Sequence, residues 1–132
     1  MCAILSIFGL ADALSDTCRE YILKLSKLLR HRGPDWNGIY CLKNTVLAHE
    51  RLTIIGLISG SQPIVNKSKN IYLSVNGEIY NYKELKEELI KSSPEYKDKF
   101  QTDSDCEILL HLYEKHGIDF MTKCVINGMY SF

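Results

Sequence analysis

A cysteine stands at position 2, directly behind the initiator methionine. If Met1 is removed, Cys2 becomes the chain terminus and carries a thiol and a free α-amino group on one residue. That amine has a reference pKa of roughly 8, so part of it is a free base at neutral pH. A nucleophile and its own general base then come together, as in N-terminal threonine nucleophiles. The thiolate is an intrinsically good nucleophile toward an amide carbon. From position alone, the competing reading is a small buried side chain at the edge of a strand.

The other groups able to do chemistry narrow the field. Cys18, Cys41, Cys106 and Cys124 bring the cysteine count to five, with no Cys-x-x-Cys pair. An odd count without that spacing supports neither a disulfide framework nor a zinc site. These four read as small buried hydrophobes, the usual state of a free thiol in a reducing, intracellular (cytoplasmic) compartment. His31, His49, His111 and His116 lack metal-ligand spacing, so no metal is expected. Sixteen basic residues balance sixteen acidic ones, which gives no electrostatic case for nucleic acid or an anionic membrane. No apolar run reaches the ~18 residues that span a bilayer. The segment from Met1 to Ala11 is apolar without a basic leader, which does not fit a secretory signal.

The elements that must position Cys2 alternate along a chain of 132 residues, a length suited to one domain. Ala3 to Phe8 reads as a buried strand. Thr17 and Glu20 form a capping box ahead of an apolar stripe of Tyr21, Ile22, Leu25, Leu28 and Leu29, a helix ending near His31. Ile39 to Leu42 and Thr45 to Ala48 read as a hairpin turning at Lys43-Asn44, and Leu52 to Ile55 as a further strand. After a Gly/Ser-rich loop, Ile71 to Gly77 reads as one strand ending in a turn. Asn81 with Glu84, and Ser104 with Glu107, form two more capping boxes. The first precedes Leu85 and Leu89. The second opens a helix with Ile108, Leu109, Leu112 and Tyr113 inward, stopping at His116-Gly117. Lys91 to Gln101 reads as a surface loop, Ile118 to Cys124 as a short helix, and the final MYSF as the start of a strand. An apolar strand at the very end suggests a chain that continues past Phe132, because its partner strands would otherwise be missing.

Six segments occur in order: MCAI at the start, RHRGPD (30–35), AHERLTII (48–55), QP (62–63), VNGEIYNY (75–82) and TDSDCE (102–107). As a set they resemble the glutaminase domain of the glutamine-hydrolysing asparagine synthetases, a class II glutamine amidotransferase, over essentially the whole chain. The resemblance implies an α+β fold, the N-terminal nucleophile (Ntn) hydrolase four-layer αββα sandwich, here truncated at its C-terminal end. The alternation of elements is compatible with that sandwich without requiring it. It also implies a second, C-terminal synthetase domain, absent here, that uses ATP and Mg to activate aspartate. The glutaminase domain itself needs no cofactor. Glutamine and the synthetase domain are the implied partners, and a homodimer is compatible with them.

By the same resemblance, Cys2 attacks the side-chain amide of glutamine and forms a thioester. The Asn76 side-chain amide and the Gly77 backbone N–H match the oxyanion hole, where donors must face a developing negative charge. Alone, the pair reads equally as an Asn-Gly turn. Arg51 matches the arginine that binds the substrate α-carboxylate, a task suited to its planar fork. Asp105 matches the acid that binds the α-ammonium, although an acid in a first helical turn is favoured by the dipole in any case. Glu78 is read as helping to hold the amino end, and Leu52, Thr53, Ile54 and Ile55 as lining the pocket. Arg30-His31-Arg32 reads as a structural loop near the site, with Asp35 pairing one arginine. Gly56 and Asp103 depart from the family pattern at positions without a chemical role. Two alternatives stay open: a non-catalytic amidotransferase-like module, and the glutaminase half of another amide-forming ligase.

Overall fold

The computed structural model describes residues 2–52 and 61–132. Strands β1 (Ala3–Phe8), β2 (Trp36–Leu42) and β3 (Thr45–Arg51) form an antiparallel sheet in the order β1-β3-β2. The first strand and the Lys43-Asn44 turn fall where the sequence places them, and the hairpin strands run longer on both arms. Side chains on a strand alternate between faces. On β3, Val46 and Ala48 join Ile22 and Ala13 in a core against helix α1 (Asp16–Lys27), and Glu50 reaches Ser26 of that helix. The odd-numbered His49 and Arg51 therefore face the other way.

Helix α1 is capped two residues earlier than the Thr17 box suggests: the Ser15 hydroxyl accepts from the Cys18 N–H. Its inward stripe is also narrower. Ile22 and Ser26 are buried, whereas Tyr21 and Leu28 are exposed. Beyond Lys27 a series of tight turns carries the chain to Gly33. There a Cβ would lie 2.2 Å from the Glu50 carbonyl, so the RHRGPD loop packs backbone-on-backbone against β3 and only glycine fits. The Asp35 N–H closes this contact on the Arg51 carbonyl at 3.0 Å.

The predicted strand over residues 71–77 is in fact two. Tyr72–Leu73 (β5) pairs with Ile64–Val65 (β4), and Asn76–Ile79 (β6) pairs with Gly128–Ser131 (β7). The break at Ser74-Val75 has partners elsewhere: Ser74 Oγ lies 3.0 Å from His49 Nδ1, and the Val75 N–H donates to Gln62 Oε1 at 2.7 Å. Helices α2 (Tyr82–Ser92) and α3 (Glu107–His116) enclose the second core with Val75, Ile79, Leu85, Leu89, Ile108, Leu109 and Leu112. The segment expected as a surface loop contains the end of α2 and a 3-10 turn (Pro94–Asp98) that buries Tyr96. A short helix, α4 (Phe120–Lys123), precedes β7. The expected strand over residues 52–55 has only Leu52 among the described residues, and Leu52 lies beyond the end of β3.

Two of the predicted capping boxes are rewired. Asn81 precedes α2, but its side chain makes no cap bond. It donates to the Val125 carbonyl and accepts from the Asn127 N–H, tying α2 to the approach of β7. Glu107 does reach back from α3, but to Gln101 and Thr102 rather than to Ser104.

Candidate active site

The first sheet and the second core meet at a cavity of about 260 Å³. Cys2 enters from the start of β1, one residue before the paired row Ala3–Glu50–Asn37 that crosses the sheet. Its half-buried thiol lies 3.5 Å from the Leu52 carbonyl. Its own carbonyl accepts from Arg32 Nε at 3.5 Å, which places the basic loop beside Cys2. Arg51, buried at the end of β3, contributes the cation of the cavity wall, with Leu52 beside it.

The facing wall is β6. Asn76 and Glu78, two residues apart, share a face that lines the cavity, while Ile79 belongs to the core and Val75 both joins the core and borders the cavity. The Asn76-Gly77 pair thus opens a strand, where the sequence suggested that it ends one or turns. At Gly77 an added Cβ would lie 2.2 Å from the Met129 carbonyl and 2.5 Å from Tyr130 Cα, so β7 can pair this closely only against glycine.

The third wall is the loop from Thr102 to Cys106. Asp105 is buried, and one carboxylate oxygen accepts from the Ile79 N–H at 2.6 Å. Cys106, also buried, directs its thiol to the Gly77 carbonyl at 3.5 Å. Burial first, and then the Asp105 carboxylate beside it, push the Cys106 thiol well above its ordinary pKa, so it stays protonated. This loop is held from below. Glu107, fully buried, accepts from Gln101 N–H (2.7 Å), Thr102 N–H (2.8 Å) and the Thr102 hydroxyl (2.7 Å). Burial alone would raise the Glu107 pKa, but hydrogen bonds from His111, Thr102 and the two backbone amides outweigh it and hold it below its ordinary value.

A family model described as glutamine amidotransferase domain matches residues 1–132. The chain belongs to the glutamine amidotransferase family. Over all 132 residues it is 49% identical to "Asparagine synthetase [glutamine-hydrolyzing] 2" of Oryza sativa subsp. japonica. It is 48% identical to "Asparagine synthetase [glutamine-hydrolyzing] 3" of Arabidopsis thaliana and 46% identical to "Asparagine synthetase [glutamine-hydrolyzing]" of Zea mays. The match covers 100% of this chain but 21% of each relative, so the chain spans about a fifth of their length. The mixed helix and strand architecture agrees with an α+β glutamine amidotransferase domain.

In this amidotransferase domain, seven of the predicted site residues converge on one cavity: Cys2, Arg51, Leu52, Asn76, Gly77, Glu78 and Asp105. Thr53, Ile54 and Ile55, predicted as pocket lining, lie outside the described residues, as does Met1. Sequence reasoning missed Gln62, Val75, Ser104, Cys106 and the β7 residues Met129, Tyr130 and Ser131, all of which line the cavity. Gln62 and Ser104 lie in or beside recognised motifs, which could have flagged them. Met129 to Ser131 had no local signal, because only strand pairing brings them there. Cys106 was read as one of four buried hydrophobes. It is the one of those four that is buried, the others being partly exposed, and it faces the cavity. Among the described residues no cluster of three His, Cys, Asp or Glu could hold a metal ion, and no helix is long and apolar enough to cross a membrane.

Proposed function

We propose that this domain hydrolyses glutamine to glutamate and ammonia, and that the ammonia feeds ATP-dependent conversion of aspartate to asparagine. The observation that carries the reading is the convergence of Cys2, Arg51, Asn76, Gly77 and Asp105 on a single cavity. Cationic Arg51 and anionic Asp105 suit the carboxylate and ammonium of an α-amino acid. Holding both fixes the side-chain amide against the Cys2 thiol, converting an encounter into a positioned reaction.

The α-amine of a terminal Cys2 takes the thiol proton as sulfur attacks the amide carbon. Asn76 Nδ2 and the Gly77 N–H donate to the oxyanion of the tetrahedral intermediate. The proton passes to the departing nitrogen and ammonia leaves, giving a thioester. Water then attacks the thioester, the amine again accepts a proton, and glutamate is released with the thiol restored. The sequence requires that Met1 be gone, since an acylated nitrogen cannot serve as base.

The finer fold belongs to the same proposal. The three-stranded sheet, with α1 on one face and the His49–Ser74 contact on the other, supports two sheets stacked between helical layers. So does the role of a larger protein: the relatives are about five times longer and are named as synthetases. The ATP and Mg step, and the aspartate, belong to that remaining length. The glutaminase step uses no cofactor.

The test is glutamate release from glutamine by the natural-length protein and by its Cys2→Ala variant. Hydrolysis by the parent and background rates in the variant are expected. Equal rates would end the proposal. Mass spectrometry of the mature N-terminus provides a second check: a retained Met1 in a working enzyme is incompatible with the α-amine as base, and with inactive protein it favours a non-catalytic module.

A further inference from the structure

The cavity contains a group that the proposed chemistry leaves unused, the Cys106 thiol. Its place follows from strand geometry. In an antiparallel pair, alternate residues turn their N–H and C=O toward opposite edges of the strand. On the β7 side, the Tyr80 N–H donates to the Asn127 carbonyl at 2.7 Å. One residue earlier, the Ile79 N–H turns away from β7 and donates to Asp105 at 2.6 Å. Gly77, two residues before Ile79, shares its edge, and its carbonyl accordingly points to Cys106 Sγ at 3.5 Å. The Gly77 N–H lies on that same edge.

Adjacent residues of one loop therefore grip β6 at two successive points, Asp105 at Ile79 and Cys106 at Gly77. The second point falls on the residue with the greatest backbone freedom. A glycine donor aimed at an oxyanion loses its value if the backbone that carries it can rotate, because the benefit of such donors lies in being held in place before the reaction. The Gly77 carbonyl and N–H lie in different peptide planes joined through the Cα, so a bond to the carbonyl acts on the donor by limiting rotation about ψ. The thiol is buried and protonated, so it can act as a donor to the Gly77 carbonyl.

We propose that Cys106 is a positioning residue for glutamine hydrolysis: its thiol, bonded to the Gly77 carbonyl, restrains ψ at Gly77 and so steadies the residue whose N–H faces the oxyanion. The inference rests on the glutaminase reading above and names a residue that the reading does not use. It separates from a packing role by polarity. Valine fills the site without a donor, and serine keeps a donor at the expense of apolar volume. A packing role favours valine; a positioning role favours serine.

The experiment measures kcat and KM for glutamine in the natural-length protein with Cys106→Val, Cys106→Ser and Cys106→Ala. Removing an oxyanion donor outright lowers kcat by about 100- to 1,000-fold, so loosening one should lower it by about tenfold. We expect that loss for Val and Ala, with KM within about twofold, and Ser within about threefold of the parent kcat. If the Val variant fails to fold, Ser against Ala reads the same difference. A Val variant with full kcat, or Ser no better than Val and Ala, overturns the inference while Cys2-dependent hydrolysis stands. Loss of Cys2 dependence in the parent overturns the glutaminase reading itself.

Discussion

Glu107→Gln tests whether the fold builds the site through the Thr102–Cys106 loop. The buried carboxylate accepts three short bonds, two from Thr102 through one oxygen and one from Gln101 through the other, which also lies 3.4 Å from His111 Nε2. Glutamine keeps one acceptor oxygen, which suits the Gln101 N–H. The new NH2 meets Thr102, whose hydroxyl can reverse and accept but whose N–H cannot. One buried amide thus loses a charged partner, a loss of about 1.5–3 kcal/mol. Glu107→Ala strands both amides and leaves a void, so a loss of about 4 kcal/mol or more is expected. Urea denaturation reads both as a fall in midpoint at constant slope. Because the loop carries Asp105, which holds the Ile79 N–H, Glu107→Gln should also raise KM for glutamine more than it lowers kcat. A Gln variant within about 0.5 kcal/mol of the parent, with the Thr102 amide as slow to exchange as before, would refute this account.

His49 gives a pH dependence. Burial first, and Arg51 second, bring its pKa from 6.5 to about 4, so it is neutral in the folded state at pH 7. Protonation favours the unfolded chain. Its contribution is therefore fully present above pH 6.5 and is lost as pH falls toward 4, about 3 kcal/mol across that window. Replacing His49 by glutamine should flatten stability against pH between those limits, and an unchanged slope in acid titrations would count against the assignment. Gly77→Ala should destabilise by about 1–3 kcal/mol and abolish hydrolysis, since its Cβ would lie 2.2 Å from the Met129 carbonyl; a thermal melt matching the parent would contradict the close strand contact. Arg51→Lys should raise KM for glutamine about tenfold or more with little change in kcat, because an ammonium cannot replace a two-pronged contact. Steady-state kinetics with an unchanged KM would remove Arg51 from the substrate's carboxylate.

Local signals were legible where local physics decided the outcome. β1, the Lys43-Asn44 hairpin and Ile108, Leu109 and Leu112 of α3 follow from apolar periodicity and need no knowledge of neighbours, whereas Tyr113, expected inward, is exposed and Leu110 and His111 are buried. Apart from the α1 cap, which Ser15 takes from Thr17 locally, the main failures share one cause, partners distant in sequence. Ser74 and Val75 interrupt a continuous apolar run because His49 and Gln62 claim them. Asn81 has the right type and spacing for a cap, but Val125 and Asn127 outbid its own helix. Tyr96 sits in a polar, lysine-rich stretch, yet packs into the second core. The site was legible as ordered motifs, so its charged residues and Asn76 were found, whereas Gln62 was not. Those that line it only because β7 pairs with β6 were not. Cys106 shows the limit of reading by type: a buried cysteine is usually inert, and only the position of the Gly77 carbonyl distinguishes this one.

The central strand β3 divides its ionisable residues by parity, with Glu50 beneath α1 and Arg51 in the cavity. A shift of pairing by one residue exchanges the faces of every side chain on a strand. In that frame a carboxylate would enter the cavity and a guanidinium would lie under the helix. The polarity of the site would invert, and an α-amino acid would meet three acids, Glu50, Glu78 and Asp105, and no cation. Glu50 guards against the slip: its carboxylate accepts from Ser26 and Asn37, both at 2.7 Å, and only the native frame offers both donors together. The two-residue turn at Lys43-Asn44 is thus a frame-setting device for charge. An inserted residue there would be felt less as a longer loop than as a reversed sign at the far end of the strand.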